Sequence, residues 1–136
     1  MEMSLLLITA ALCLLLTIIT GWLIAIIRYL KSDLLKKIFP GYKYLKRAHV
    51  DYAIMGGLVF AVTLILTKLN VTLTNPELIA LSVGALYNPS GFMLQAVKPG
   101  IADSDSGAFN GLILAGFIPA TYGFGAVAVK IIMAVL

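Results

Sequence analysis

Charge is what this chain of 136 residues has least of: Lys, Arg, Asp and Glu make up 12% of it, against 61% hydrophobic residues. An average soluble domain is about one quarter charged, and a water-soluble fold this small needs a largely polar outer surface. This composition cannot supply one, whereas in a bilayer the outside of a protein is apolar too. The shortage of charge therefore excludes an ordinary soluble domain and points to an all-α, polytopic membrane protein. Cysteine is nearly absent: Cys13 stands alone, which excludes an intrachain disulfide, a redox pair and a thiolate metal cluster. In the middle of an apolar run it reads as a small helix- or lipid-facing residue. Histidine is equally scarce, and the single His49 excludes a multi-histidine zinc or copper site built from this chain alone. No Ser-His-Asp arrangement, phosphate-binding glycine loop or pair of catalytic carboxylates can be assembled from the rest.

What charge there is lies in one place. Of ten basic residues, seven fall between Arg28 and Arg47: Arg28, Lys31, Lys36, Lys37, Lys43, Lys46 and Arg47. The net charge of +4 is therefore no sign of nucleic acid as a partner, and the positive-inside rule puts this connection in the cytoplasm. Four uncharged stretches surround it, Met3–Ile27, Tyr52–Thr67, Leu78–Val97 and Ser106–Val129. The first is too long for a signal-peptide core and follows Glu2 rather than a basic segment, so it reads as an uncleaved span. The second has 16 uncharged residues, about 24 Å of helix against a hydrocarbon core of roughly 30 Å. Spanning requires it to begin near Ala48, which places His49 and Asp51 in its first turn. The expected architecture is one transmembrane domain, a four-transmembrane-helix bundle over 3–28, 48–68, 76–97 and 106–133. The basic connection 28–47 is then cytoplasmic and both termini lie outside, as in a protein of a prokaryotic cytoplasmic membrane.

Leu30, Leu34, Leu35, Ile38 and Phe39 recur at helical spacing before Pro40-Gly41, which predicts a short interfacial helix; the alternative is a solvated charged loop. Asn70-Val71-Thr72 matches a glycosylation sequon but lies so close to the second helix that it reads as a polar turn. Asn88-Pro89 and Pro119 fall inside the third and fourth spans, where each proline removes a backbone donor and should kink its helix. Gly107, Gly111 and Ala115 form a small-residue stripe for close contact within the protein or between subunits.

Polar residues at membrane depth need a reason. The first helix has threonines, Gly21 and an interfacial Trp22 but nothing ionisable, and reads as peripheral. The second has His49, Asp51 and Tyr52, the third Tyr87, Asn88 and Gln95, the fourth Asn110, Thr121 and Tyr122. Asn88 and Gln95, seven apart, share a helix face, so these groups converge on one interior site. A neutral His49 can ligate a metal or haem iron or carry a proton; the plainer alternative is an interfacial histidine bonded to backbone or headgroups. Asp51, two residues on, faces elsewhere and is expected to pair with Lys46, Arg47 or a neighbouring subunit. Asp103 and Asp105 are expected to cap the fourth helix.

The order of short motifs resembles a family. Arg47-Ala48-His49 opening a span, then Gly56-Gly57, Asn88-Pro89-Ser90-Gly91-Phe92 in mid-helix, Pro99-Gly100 and a last helix rich in Ala, Gly and Tyr is similar to styrene oxide isomerase. The small membrane hydroxylaminobenzene mutases are similar in length and helix count. The resemblance covers roughly Arg47 to the C-terminus. It implies a trimer of four-helix protomers that binds haem b between subunits, with His49 as the iron ligand. It also implies an epoxide-to-carbonyl isomerisation in which ferric iron acts as a Lewis acid. Two positions depart from it: Met55 and Met93 stand where the family has an asparagine and a tyrosine.

The leading expectation, on this resemblance, is a small haem-binding membrane protein of the epoxide-isomerase-like fold, a redox-neutral isomerase of a small hydrophobic substrate. His49 would be the metal ligand, Arg47 (or Lys46) would meet the haem propionates, and Asn88, Tyr87 and Asn110 would be the catalytic candidates. Its rival is a non-catalytic accessory subunit of a larger membrane complex, such as a membrane-bound monooxygenase. A transporter or channel ranks third, because no ionisable residue sits near the centre of a span.

Overall fold

In a computed structural model, which describes residues 2–103 and 107–136, the chain is helical, with no strand among the described residues. In order, α1 covers Glu2–Tyr29, α2 Asp33–Ile38, α3 Tyr42–Leu69, α4 Asn75–Tyr87, α5 Ser90–Val97 and α6 Gly107–Val135, with a 3-10 turn at Pro99–Ala102 before α6. Three of them, α1, α3 and α6, are long and apolar enough to cross a membrane.

The third expected span is divided. Pro89 has no N–H, so the Ala85 carbonyl loses its helical partner and the helix is interrupted between α4 and α5. The chain nevertheless keeps its course, because Asn88 (φ −54°, ψ −47°) and Pro89 (φ −69°, ψ −19°) both hold right-handed helical dihedrals. Two side chains cover the disturbed carbonyls. The Cys13 thiol of α1 donates a long, weak bond to the Ala85 carbonyl at 3.9 Å, and the Ser90 hydroxyl donates to Leu86 O at 3.0 Å. By contrast, α6 runs unbroken through Pro119.

The second long helix starts at Tyr42, earlier than the Ala48 that the uncharged length suggests. The reason is amphipathy. Leu45 and Ala48 are buried, and Tyr42 and Leu45 pack with Ile27, Phe39 and Ala96, while the lysines between them face out. Consequently His49 and Asp51 sit about two turns inside the helix rather than in its first turn. The short α2 forms from Asp33 under the N-cap Ser32, which accepts from Leu35 N–H at 3.4 Å. Of its apolar side chains, Leu35 packs inward while Leu34 and Ile38 remain exposed.

Small residues decide how the long helices pair. α1 lies along α3, where a Cβ added to Gly56 would stand 3.2 Å from the Cβ of Cys13. α4 lies along α6 more tightly still. A Cβ on Gly84 would run into the Ala120 backbone, one on Gly123 into the Leu81 backbone, and one on Gly116 would come within 2.8 Å of the Tyr87 ring. The intramolecular stripe of α6 is therefore Gly116-Ala120-Gly123. The expected stripe lies outside it: a Cβ on Gly107 or Gly111 would meet nothing within 4 Å, and Ala115 is exposed. The main core gathers Leu6, Ala10, Val59, Leu66, Leu78 and Leu81, with Met55 against it. Large apolar side chains such as Ile8, Leu15, Ile18, Ile118 and Ile132 stay exposed along the outer faces, far more than water tolerates on a monomer.

The end of the bundle opposite the basic connection is pinned by charge. Lys130 Nζ lies 2.7 Å from Glu77 Oε2 and donates to the Thr72 carbonyl at 3.0 Å. Glu77 also accepts from Thr74 N–H at 2.6 Å, closing a capping box at the start of α4. Asn70 of the sequon ends α3 in the left-handed conformation (φ 53°), a place Asn fills readily. Asp103 is exposed beyond the 3-10 turn; Asp105 and Ser106 lie outside the described residues.

Candidate functional site

His49 projects from α3 towards α1. Its Nδ1 is 3.0 Å from the Thr17 carbonyl oxygen and 3.2 Å from Thr20 Oγ1. A carbonyl can only accept, so Nδ1 carries the proton. Thr20 already donates its hydroxyl to Leu16 O at 2.7 Å, which leaves its oxygen free to accept a share of the same N–H. In the neutral ring the lone pair is then on Nε2, which makes no hydrogen bond among the described residues. The imidazole stands in an open apolar groove with Thr17, Ile18, Gly21, Trp22 and Ala25. Gly21 makes the approach possible, since a Cβ there would lie 3.1 Å from His49 Cε1.

Asp51 faces the other way. Successive residues turn about 100° around a helix, so positions two apart diverge by about 200°. Asp51 lines a cavity of about 370 Å³ between α3, the α4–α5 junction and α6, with Tyr87, Asn88, Ser90, Gln95 and Phe117 among its walls. Its carboxylate has neither hydrogen bond nor ion pair among the described residues. The expected pairing with Lys46 or Arg47 does not form, because those cations lie over tyrosine rings instead. Lys46 Nζ is 5.2 Å from the Tyr42 ring centre, and the Arg47 guanidinium is 5.8 Å from that of Tyr44. Lys43, Lys46, Arg47, Val50, Asp51 and Phe92 nevertheless line one shallow groove that adjoins the cavity through Asp51 and Phe92. Behind the cavity wall, Tyr52 and Ser90 share a hydrogen bond of 3.0 Å, and Gln95 Nε2 donates to Gly91 O at 3.3 Å.

The chain thus divides the residues singled out from sequence into two groups. Tyr87, Asn88, Gln95 and Asp51 meet around the cavity, while His49 is apart from all of them. Asn110 is exposed on α6 and lines neither the cavity nor the grooves, and Thr121 and Tyr122 are exposed as well. Arg47 and Lys46, the residues expected to meet haem propionates, belong to the groove of Asp51, not to that of His49. Met55 and Met93 are packing residues, one against the main core and the other against Ile27, Leu45 and Ala96. The residues missed from sequence are Thr17, Thr20 and Gly21 of the supposedly featureless first helix. A signal was present: Ala10, Cys13, Thr17, Thr20 and Gly21 repeat small residues at helical spacing and mark the face that meets α3.

The class these features define is a small helical protein with apolar flanks and two separate polar sites at one end of its bundle. No protein-family model, curated protein or solved structure matches the chain.

Proposed function

We propose that this chain is a four-span integral membrane protein that binds haem through His49, of the kind its motifs resemble in styrene oxide isomerase. The observation that carries the reading is the His49 ring. Its Nδ1–H is held by Thr17 O, so the tautomer is set, Nε2 keeps an unshared lone pair, and the residue lines an apolar groove. These are features that an imidazole holding haem iron would need. Gly21 leaves room beside the ring, while Ile18, Trp22 and Ala25 offer an apolar wall. Bound there as ferric iron, haem would supply a Lewis acid for the oxygen of a small lipophilic substrate. The chain's own residues hold the imidazole in place and keep water from its apolar side.

In this reading α4 and α5 together make the third span. Alone, α4 has 13 residues, about 20 Å, too short for a core of roughly 30 Å; the two in line suffice. The connection rich in lysine then faces the cytoplasm and both termini the outside. A cysteine placed within Lys31–Lys43 should label from the cytoplasm and one after Lys130 only from outside. The His49 groove has a single wall, so a second copy completes it, and the exposed Gly107-Gly111-Ala115 stripe offers a surface for that contact. A trimer is what the resemblance implies.

The test is an absorption spectrum. Protein purified from cells supplied with haem should show a Soret band, and His49→Ala should lose it with the helical signal intact. A colourless wild type, or a variant that keeps its band, sinks the reading. A second reading has its own support: His49 and the Tyr87–Asn88 wall lie on opposite faces of α3, and both departing methionines serve packing. These favour a non-catalytic accessory subunit of a larger membrane complex. Epoxide turnover by the haem-loaded protein separates the two, since an accessory subunit gives none.

A further inference from the structure

The cavity and the basic groove meet at Asp51, and neither is used by the His49 reading. Three cations, Lys43, Lys46 and Arg47, share this groove with one carboxylate, yet no ion pair joins the two signs. Opposite charges left apart in one depression are a poor arrangement for the empty protein, because a carboxylate beside apolar walls costs free energy unless something meets it. A simple anion would satisfy the cations and leave Asp51 alone. A simple cation would satisfy Asp51 and add to a surplus of positive charge. A ligand with a phosphate and an ammonium a few bonds apart meets both. From the structure we infer that this groove binds the headgroup of an aminophospholipid, its phosphate on Lys43, Lys46 and Arg47 and its ammonium on Asp51.

The adjoining cavity fits the remainder of such a molecule. Besides its polar wall the cavity has an apolar one of Phe92, Leu94, Leu112, Ile113 and Phe117, which suits the start of an acyl chain. Phe117 is 55% exposed, so the chain can continue outward along α6. Asn88 also lines the cavity, and its side chain has no hydrogen bond among the described residues. Its amide can donate to an ester carbonyl of the lipid. The tyrosines under Lys46 and Arg47 hold both cations off Asp51, which keeps the two charges available to the ligand. Arg and Lys are also the side chains that bind phosphate best.

The inference rests on the membrane reading and is independent of haem. The experiment uses the full chain in detergent, titrated with phosphatidylethanolamine or with phosphatidylglycerol of identical acyl chains, with retained lipid counted by native mass spectrometry. Phosphatidylethanolamine should bind the wild type more tightly, by roughly tenfold for a charge-assisted hydrogen bond. Asp51→Asn should abolish that preference and leave phosphatidylglycerol unaffected, whereas Lys46→Gln with Arg47→Gln should weaken both lipids. Because Asp51→Asn alone can alter folding, the wild type is also titrated with N-acetyl phosphatidylethanolamine, which keeps the phosphate and loses the ammonium. Binding as tight as that of the unmodified lipid overturns the proposal, as does a wild type that holds the two headgroups equally or an Asp51→Asn that keeps the preference. Failure of the membrane reading would show separately, as protein released by alkaline extraction, and failure of the haem reading as a missing Soret band.

Discussion

The two faces of α3 solve opposite problems. Towards α1 the hydroxyls and imidazole around His49 find partners inside the chain: His49 Nδ1 in Thr17 and Thr20, Thr20 in Leu16, and Thr17 in the Cys13 carbonyl at 2.9 Å. Small side chains let the two helices close up, and the one atom left over, His49 Nε2, is aimed by its neighbours. Towards α5 and α6 the same helix leaves Asp51 unpaired beside a cavity, across which Asn88 of the α4–α5 junction makes no side-chain hydrogen bond among the described residues. A satisfied face can orient a single atom with little freedom. An unsatisfied one stores a demand for a partner, since buried or half-buried polar groups cost free energy until they are met. Within one helix, then, positions two residues apart face a closed, hydrogen-bonded seam and an open, charged groove.

The largest expected effect crosses the two faces. His49→Ala should remove the Soret band altogether and leave the preference for phosphatidylethanolamine in place, while Asp51→Asn should do the reverse. A variant that alters both readouts would mean that the two faces are coupled after all. Next in size is packing. Gly123→Leu or Gly84→Leu sets a side chain against opposing backbone and should destabilise the fold by about 3 kcal/mol or more, measured as reversible unfolding in mixed micelles. Gly111→Leu, whose added Cβ meets nothing, should leave that value unchanged yet break an oligomer of this chain. If Gly111→Leu unfolds the monomer instead, the inside and outside stripes are assigned the wrong way round.

Smaller effects test the pins. Lys130→Met removes a largely shielded ion pair, the bond to Thr72 O and part of the anchoring of α4, and should cost about 1–2 kcal/mol. The exposed Asp33–Lys36 pair is its control, and Lys36→Met should be silent. Thr20→Val should cost about 0.5–1.5 kcal/mol while keeping the Soret band, because the Thr17 carbonyl still holds His49 Nδ1–H. Smallest is Cys13→Ala at about 1 kcal/mol, a shallow void and one weak bond to the Ala85 carbonyl. Loss of several kcal/mol there would mean that the thiol, rather than the helical dihedrals of Asn88 and Pro89, keeps α4 and α5 in line.

Composition and residue spacing determined a great deal. With 12% charged residues only an apolar exterior is available. Long runs without charge and without strand alternation suit helices, and Pro89 deprives any helix that contains it of one backbone donor. That the helix breaks at Pro89 and not at Pro119 came from the tertiary structure. Tyr87, Asn88 and Gln95 could be placed on one side because helical periodicity is a local property. What tertiary structure alone decided is which neighbour each face meets. Thr17 and His49 are 32 residues apart, and nothing local says that a threonine carbonyl will set the histidine tautomer. Whether Gly111 or Gly123 lies inside depended on how α6 rotates against α4, and both stripes have the required spacing. Asp51 was expected to find Lys46 or Arg47 because they are near in sequence. The helix turned the carboxylate into a cavity, and the tyrosine rings took the cations. Periodicity fixes angles along a helix, but the energy of a polar group is set by what packs across from it, and that partner comes from a distant part of the chain.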